Sequence, residues 1–203
     1  MKVIDLTTLI DENTEVFPGD AKPEITVVST IKEKGWNEKQ LKFGSHFATH
    51  IDAPFHMIEG GKKLDEFPVE TFFGKAICID ARKKEILEDG LKRVKRGDIV
   101  LFLTGKSGVR GYEDFIKREP TIGTETAQSL AKKGVKMVGF DSLTVDAEPF
   151  AIHKLFFSNN IPIVENLANL ETVVGKRFDC FALPLKLANA DAAPCRVIAI
   201  LKR

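Results

Sequence analysis

Short apolar runs rich in β-branched residues recur along the chain and restrict it to folds built around a sheet. Residues 75–81 read Lys-Ala-Ile-Cys-Ile-Asp-Ala and residues 98–103 read Asp-Ile-Val-Leu-Phe-Leu. Both are apolar on successive positions and too short for a helix, which is the pattern of buried strands. Residues 135–140, 161–164, 178–183 and 197–201 repeat it, and 3–6 and 25–29 predict two further short strands. Helical patterns fall between them at 86–94, weakened by Gly90, at 124–133, capped by Thr124 and left through Lys132-Lys133-Gly134, and at 149–158, ended by Asn159-Asn160. This alternation predicts an α/β domain around a mixed sheet. The early strands arrive without helices between them, so part of the sheet is expected to be antiparallel. The 203 residues contain no repeat, low-complexity stretch or linker, so one domain over 1–203 is expected.

Lys and Arg number 30 against 29 Asp and Glu, a formal charge of +1. A chain so balanced carries no broad basic field, which argues against nucleic-acid and membrane-surface partners and leaves a small molecule as the expected one. No apolar run approaches the roughly 20 residues of a membrane span, and the N-terminus does not read as a signal peptide. A cytoplasmic location is the expectation. Cys78, Cys180 and Cys195 each sit in or beside an apolar run, as reduced, buried cysteines do.

Residues 45–56 break the plain patterning. They read Ser-His-Phe-Ala-Thr-His-Ile-Asp-Ala-Pro-Phe-His and hold three of the four histidines. His46, His50, Asp52 and His56 all have even numbers. Side chains alternate along an extended chain, so these four would share one face, with Phe47, Ile51 and Phe55 turned into apolar surroundings. A helix fits less well, because Asp52 would point away and Pro54 would break it. Imidazoles and a carboxylate together suit zinc, manganese or iron. The alternative is a chance cluster on a surface turn. Glu165 ends the apolar strand at 161–164, where α/β folds tend to place chemistry. Spacing connects neither Glu165 nor His153 to the cluster, and each alone reads as a packed, surface or capping residue. From the residues themselves the reading reaches a three-ligand site with His56 as an uncommitted base.

The segment resembles the His-x-Gly-Thr-His-x-Asp-x-Pro-x-His signature of the cyclase family, which has formamidase and isatin-hydrolysing members. Val16-Phe17-Pro18-Gly19-Asp20 resembles its aromatic-Pro-Gly-Asp turn, 160–167 the stretch with its ligand glutamate, and 191–196 its closing turn and last strand. One position departs: Ala48 stands where glycine is usual, a small change unless the backbone φ there is positive. The resemblance implies a swivelling β/β/α fold assembled as a homodimer or homotetramer. It implies a binuclear divalent-metal site, zinc foremost and manganese as the alternative. His46, His50 and Asp52 would bind one ion, and Asp52 would bridge to a second held by His153 and Glu165. His56 would be the catalytic acid/base and Phe17 a substrate contact. The implied activity is metal-dependent amide hydrolysis, with N-formylkynurenine as the first substrate and other cyclic amides, lactones, esters or a cyclisation as alternatives. A metal-binding protein without turnover would have no use for His56 beside its ligands.

Overall fold

Unbroken apolar runs along the central strands are accommodated by giving each face of the sheet its own partner. In a computed structural model, which describes residues 1–106 and 122–202 and only the backbone of 84–86, β5 (Phe73–Asp80) lies parallel to β6 (Ile99–Leu103). The parallel run continues through β7 (Met137–Phe140) to β8 (Ile163–Glu165). Along β5, Ala76 and Cys78 face one core, shared with Ile99, Leu101 and Leu103 of β6. Ile77 and Ile79 face another, shared with Val100 and Phe102. That second core is closed by α2 (Lys84–Lys92), α3 (Thr124–Lys133) and α4 (Ala151–Ser158), through Leu87, Leu130, Ile152 and Phe156 among others. Strands apolar on both faces are thereby explained: one face lines a barrel and the other carries helices.

The remaining strands close the sheet antiparallel, as the missing early helices predict. β4 (His50–Asp52) pairs with β8, and β9 (Arg177–Pro184) pairs with β5. The long β10 (Ala192–Leu201) pairs with β4 through Ala192–Pro194 and with β9 through Cys195–Ile200, completing a ring of seven strands. β1 (Lys2–Asp5) pairs with the far end of β10. Closure removes the edges that an open sheet would leave unpaired.

Some elements depart from expectation. β2 (Glu24–Ser29) lies outside the barrel in a two-stranded sheet with β3 (Glu38–Lys42), after a single turn of helix, α1 (Ile31–Lys34). The sequence Glu-Lys-Gln-Leu-Lys of β3 has no buried face, so no apolar alternation marks it. The third predicted helix begins at Ala151 rather than 149, because Phe150 has φ 59°. Gly90 is less a defect of α2 than its contact point: a Cβ there would lie 2.4 Å from Ile79 Cγ2. Among the described residues no helix is long and apolar enough to cross a membrane.

Gly90→Ala should therefore destabilise the protein, although alanine is favoured intrinsically in a helix by about 1 kcal/mol. The expected net loss is about 1–2 kcal/mol from overpacking against β5, read as a lower Tm in thermal unfolding. A higher Tm would show that α2 does not sit on Ile79 as described.

Candidate metal centre

Strand register delivers the first side chains. In the β4–β8 ladder His50 stands opposite Glu165 and Asp52 opposite Ile163. Partners across an antiparallel pair share a face. Ile51, between them, fills the barrel interior, so His50, Asp52 and Glu165 emerge together on the outer, helix-covered face. Helix α4 adds His153, buried with Ile152, Phe156 and Phe157. His153 and Phe157 stand one turn apart on one face, with ring centroids 5.7 Å apart.

His46 and His56 arrive by turns rather than by strand alternation. Only 50–52 are strand; Ala48 takes φ 53° and Pro54–His56 form a short 3-10 turn. The continuous extended face expected over 46–56 is therefore corrected to a bend, a three-residue strand and a turn. Phe47 and Ile51 are buried as expected, but the turn leaves Phe55 40% exposed, with Lys63 Nζ 5.4 Å from its ring centroid. The same bends bring the His46 and His56 rings to 3.9 Å between centroids. Ala48 earns its strained backbone by aiming its carbonyl inward, where it accepts from Asn166 Nδ2 at 3.1 Å and faces His50 Nδ1 at 2.9 Å.

The result is two donor groups that share one carboxylate. His46, His50 and Asp52 offer ligand atoms within 4.8 Å of one another, and so do Asp52, His153 and Glu165. His46 Nδ1 lies 2.7 Å and His50 Nε2 3.1 Å from Asp52 Oδ1, and His153 Nε2 lies 3.2 Å from Glu165 Oε1. The contacts to Asp52 are close in distance but not angled as hydrogen bonds. His50 Nε2 and both Asp52 oxygens are thus buried without a hydrogen-bond partner among the described residues. Unsatisfied buried groups of this kind are costly unless something else coordinates them. The donor set, two imidazole–carboxylate triads meeting at Asp52, has the chemistry to hold divalent metal.

The charges respond to that crowding. Burial disfavours charge on His46, yet Asp52 and then Asp191 outweigh it and raise its pKa to about 9. Burial likewise opposes charge on His153, but Asp146 and Glu165 carry it up to about 10. His50 is raised despite full burial, chiefly by Asp52. Asp52 is pushed up by burial but pulled well below the carboxylate range by His50 and His46. His56 goes the other way: burial, reinforced by His46 and His153, lowers it to about 4. At neutral pH His56 is uncharged and its lone pair can accept a proton. The three cysteines face the barrel interior. Burial raises all three thiols, Cys180 to about 12, which makes them unreactive.

All six polar residues singled out in the sequence border one cavity of about 280 Å³, and Phe17 lines it too, with Met57, Leu143 and Phe150. Sequence reasoning missed Asp146, which is bonded to His153 Nδ1 and accepts the Ile152 N–H at 2.6 Å. It also missed Asp191, 2.8 Å from His46 Nε2. Asp191 lies far along the chain from the histidine cluster, and no spacing rule reaches it.

Barrel, covering helices and a shared-carboxylate donor set make this an α/β barrel protein with a candidate metal centre on the outer face of its sheet. The chain belongs to the putative cyclase family, whose model matches residues 4–147. It is 36% identical over 203 residues to an uncharacterised protein of Methanocaldococcus jannaschii, covering 99% of this chain and all of that one. It is 32% identical to a kynurenine formamidase of Bacillus cereus, over 96% of this chain and 95% of the other. Among solved structures, a potential metal-dependent hydrolase with cyclase activity superposes with a TM-score of 0.74 at 31% identity, covering 98% of this chain and 96% of that one. Isatin hydrolase A of Labrenzia aggregata superposes at 0.83 over all of this chain and 94% of that one; at 24% identity it speaks for the fold alone.

Two outcomes follow from this geometry. Because position 48 is both left-handed and buried, Ala48→Gly should leave Tm within a few degrees. Ala48→Val should cost about 2 kcal/mol or more, roughly 4–8 °C in Tm; equal Tm values would mean the backbone there is not held at positive φ. Divalent-metal binding should also release protons. At pH 7–8 His46 and His153 lie below their pKa values of about 9 and 10 and carry protons that a cation must displace. Affinity should therefore rise with pH up to that range. Calorimetry in two buffers of different ionisation enthalpy should show about one or more protons released per chain, and zero release contradicts the assignment.

Proposed function

We propose that this protein is a metal-dependent hydrolase that cleaves a carbon–nitrogen amide bond, with N-formylkynurenine as its substrate and kynurenine and formate as products. The observation that carries this reading is Asp52, shared by two donor triads beneath a cavity that also holds the uncharged His56. The similarity to kynurenine formamidases supports the substrate class.

His46, His50 and Asp52 would hold one cation, and Asp52, His153 and Glu165 the other. Such cations, when bound, acidify water and polarise a carbonyl oxygen. The chain's own groups supply the rest. His56 stands beside His46 with a free lone pair, so it takes the proton that attack by water liberates and returns it to the departing amine nitrogen. Phe17, Met57, Leu143 and Phe150 give the cavity its apolar wall, which suits an aromatic substrate. Asn166, also on the wall, is held by its bonds to Ala48 and Thr49.

A second reading keeps the chemistry and changes the substrate to a cyclic amide, lactone or ester. Phe17 favours it, because phenylalanine on the cavity wall can stack on a ring but offers no N–H donor to a formamide oxygen.

Metal-loaded protein should hydrolyse N-formylkynurenine. His56→Ala should reduce turnover by roughly 10²- to 10⁴-fold with metal content unchanged, and Asp52→Asn should lose metal and activity together. Turnover of isatin or a lactone in place of the formamide selects the second reading. A His56→Ala protein that lost metal yet kept its rate per metal would overturn the assigned roles.

A further inference from the structure

Each histidine of the two triads turns one ring nitrogen to the cluster and the other to an oxygen outside it. His50 Nδ1 faces the Ala48 carbonyl at 2.9 Å, leaving Nε2 toward Asp52. His153 Nδ1 is bonded to Asp146, leaving Nε2 toward Glu165. His46 Nε2 faces Asp191 Oδ2 at 2.8 Å, leaving Nδ1 toward Asp52. A neutral imidazole has one N–H and one lone pair. The outer oxygen can only accept, so it keeps the hydrogen on the remote nitrogen and points the lone pair at the cluster.

The three outer acceptors differ in kind. The Ala48 carbonyl is main chain, and Asp146 is buried and tied to the first turn of α4. The Asp191 side chain is 39% exposed. Its Oδ2 also accepts from Ser45 Oγ at 3.2 Å and lies 4.0 Å from His56 Nδ1. Its main chain is nonetheless fixed to the site: the Asp191 carbonyl accepts the Ala53 N–H at 2.8 Å, and the next residue, Ala192, pairs with Asp52. Asp191 thus moves with the strand that carries Asp52, and its carboxylate reaches His46 from a rigid base.

We propose that Asp191 is a positioning residue for the His46–His50–Asp52 triad, holding the hydrogen on His46 Nε2 so that the Nδ1 lone pair is presented to a divalent cation. The proposal rests on the metal-centre reading and adds a prediction that reading does not contain. His50 and His153 have acceptors of their own, so loss of Asp191 falls on one triad and spares Asp52–His153–Glu165.

The test is a Co²⁺ titration of the full-length, metal-free protein, followed by visible absorption and calorimetry. Wild type should bind in two steps. Asp191→Ala should weaken one step by about 10- to 100-fold and leave the other unchanged. Asp191→Asn, whose side-chain oxygen still accepts from His46, should recover much of that loss. Two unchanged steps in Asp191→Ala overturn the proposal and leave the metal-centre reading intact. Equal weakening of both steps overturns it in favour of a general structural role. An Asp191→Asn protein as impaired as Asp191→Ala overturns it too, because the carboxylate would then act through its charge or as a ligand. Wild-type protein that takes up no Co²⁺ overturns both the proposal and the reading beneath it.

Discussion

The Asp52 carboxylate is about 1% exposed, and among the described residues neither of its oxygens has a hydrogen-bond partner of acceptable geometry. Two histidines lie within 3.1 Å of Oδ1, and a third histidine and a second buried carboxylate complete the second triad around it. An apolar interior would neutralise such a group or expel it. Here the neighbours instead drive Asp52 well below the carboxylate range and lift His46 to about 9 and His153 to about 10. The metal-free site is therefore a set of buried charges balanced by protons. On the proposed metal-centre reading, divalent cations would replace those protons with a stronger and directional partner.

The barrel exists to make that concentration of charge tolerable. Closing the sheet through β10 gives the chain an apolar interior, in which Ile51 and Val164 are anchored. The polar residues of the same strands are then forced to the outer face. Helix α4 covers them, so they escape water without entering the main core. One ladder register does most of this: a slip of a single residue between β4 and β8 would send His50 and Asp52 inward and Ile51 outward. The strained φ at Ala48 belongs to the same arrangement, because its carbonyl orients His50.

Much of this was legible in the sequence because local pattern carried it. Buried strands such as β6 announce themselves by apolar runs, and α3 by its exit at Lys132-Lys133-Gly134. The spacing of His46, His50, Asp52 and His56 marked a site, although only 50–52 alternate as a strand does. What stayed hidden depends on tertiary placement. Strand β3 buries nothing, so no pattern marked it. Phe55 looked like a core residue until the 3-10 turn placed it outside. His153 and Glu165 joined the cluster through resemblance, not spacing. Asp146 and Asp191 are ordinary acids in the sequence and gain meaning only from the ring nitrogens they face.

The shared carboxylate is the central claim, and anomalous diffraction from crystals grown with Mn²⁺ or Zn²⁺ tests it most directly. Two peaks are predicted on either side of Asp52, one bounded by His46 and His50 and the other by His153 and Glu165. Peaks that leave Asp52 unliganded, or none at this cluster, would contradict the account.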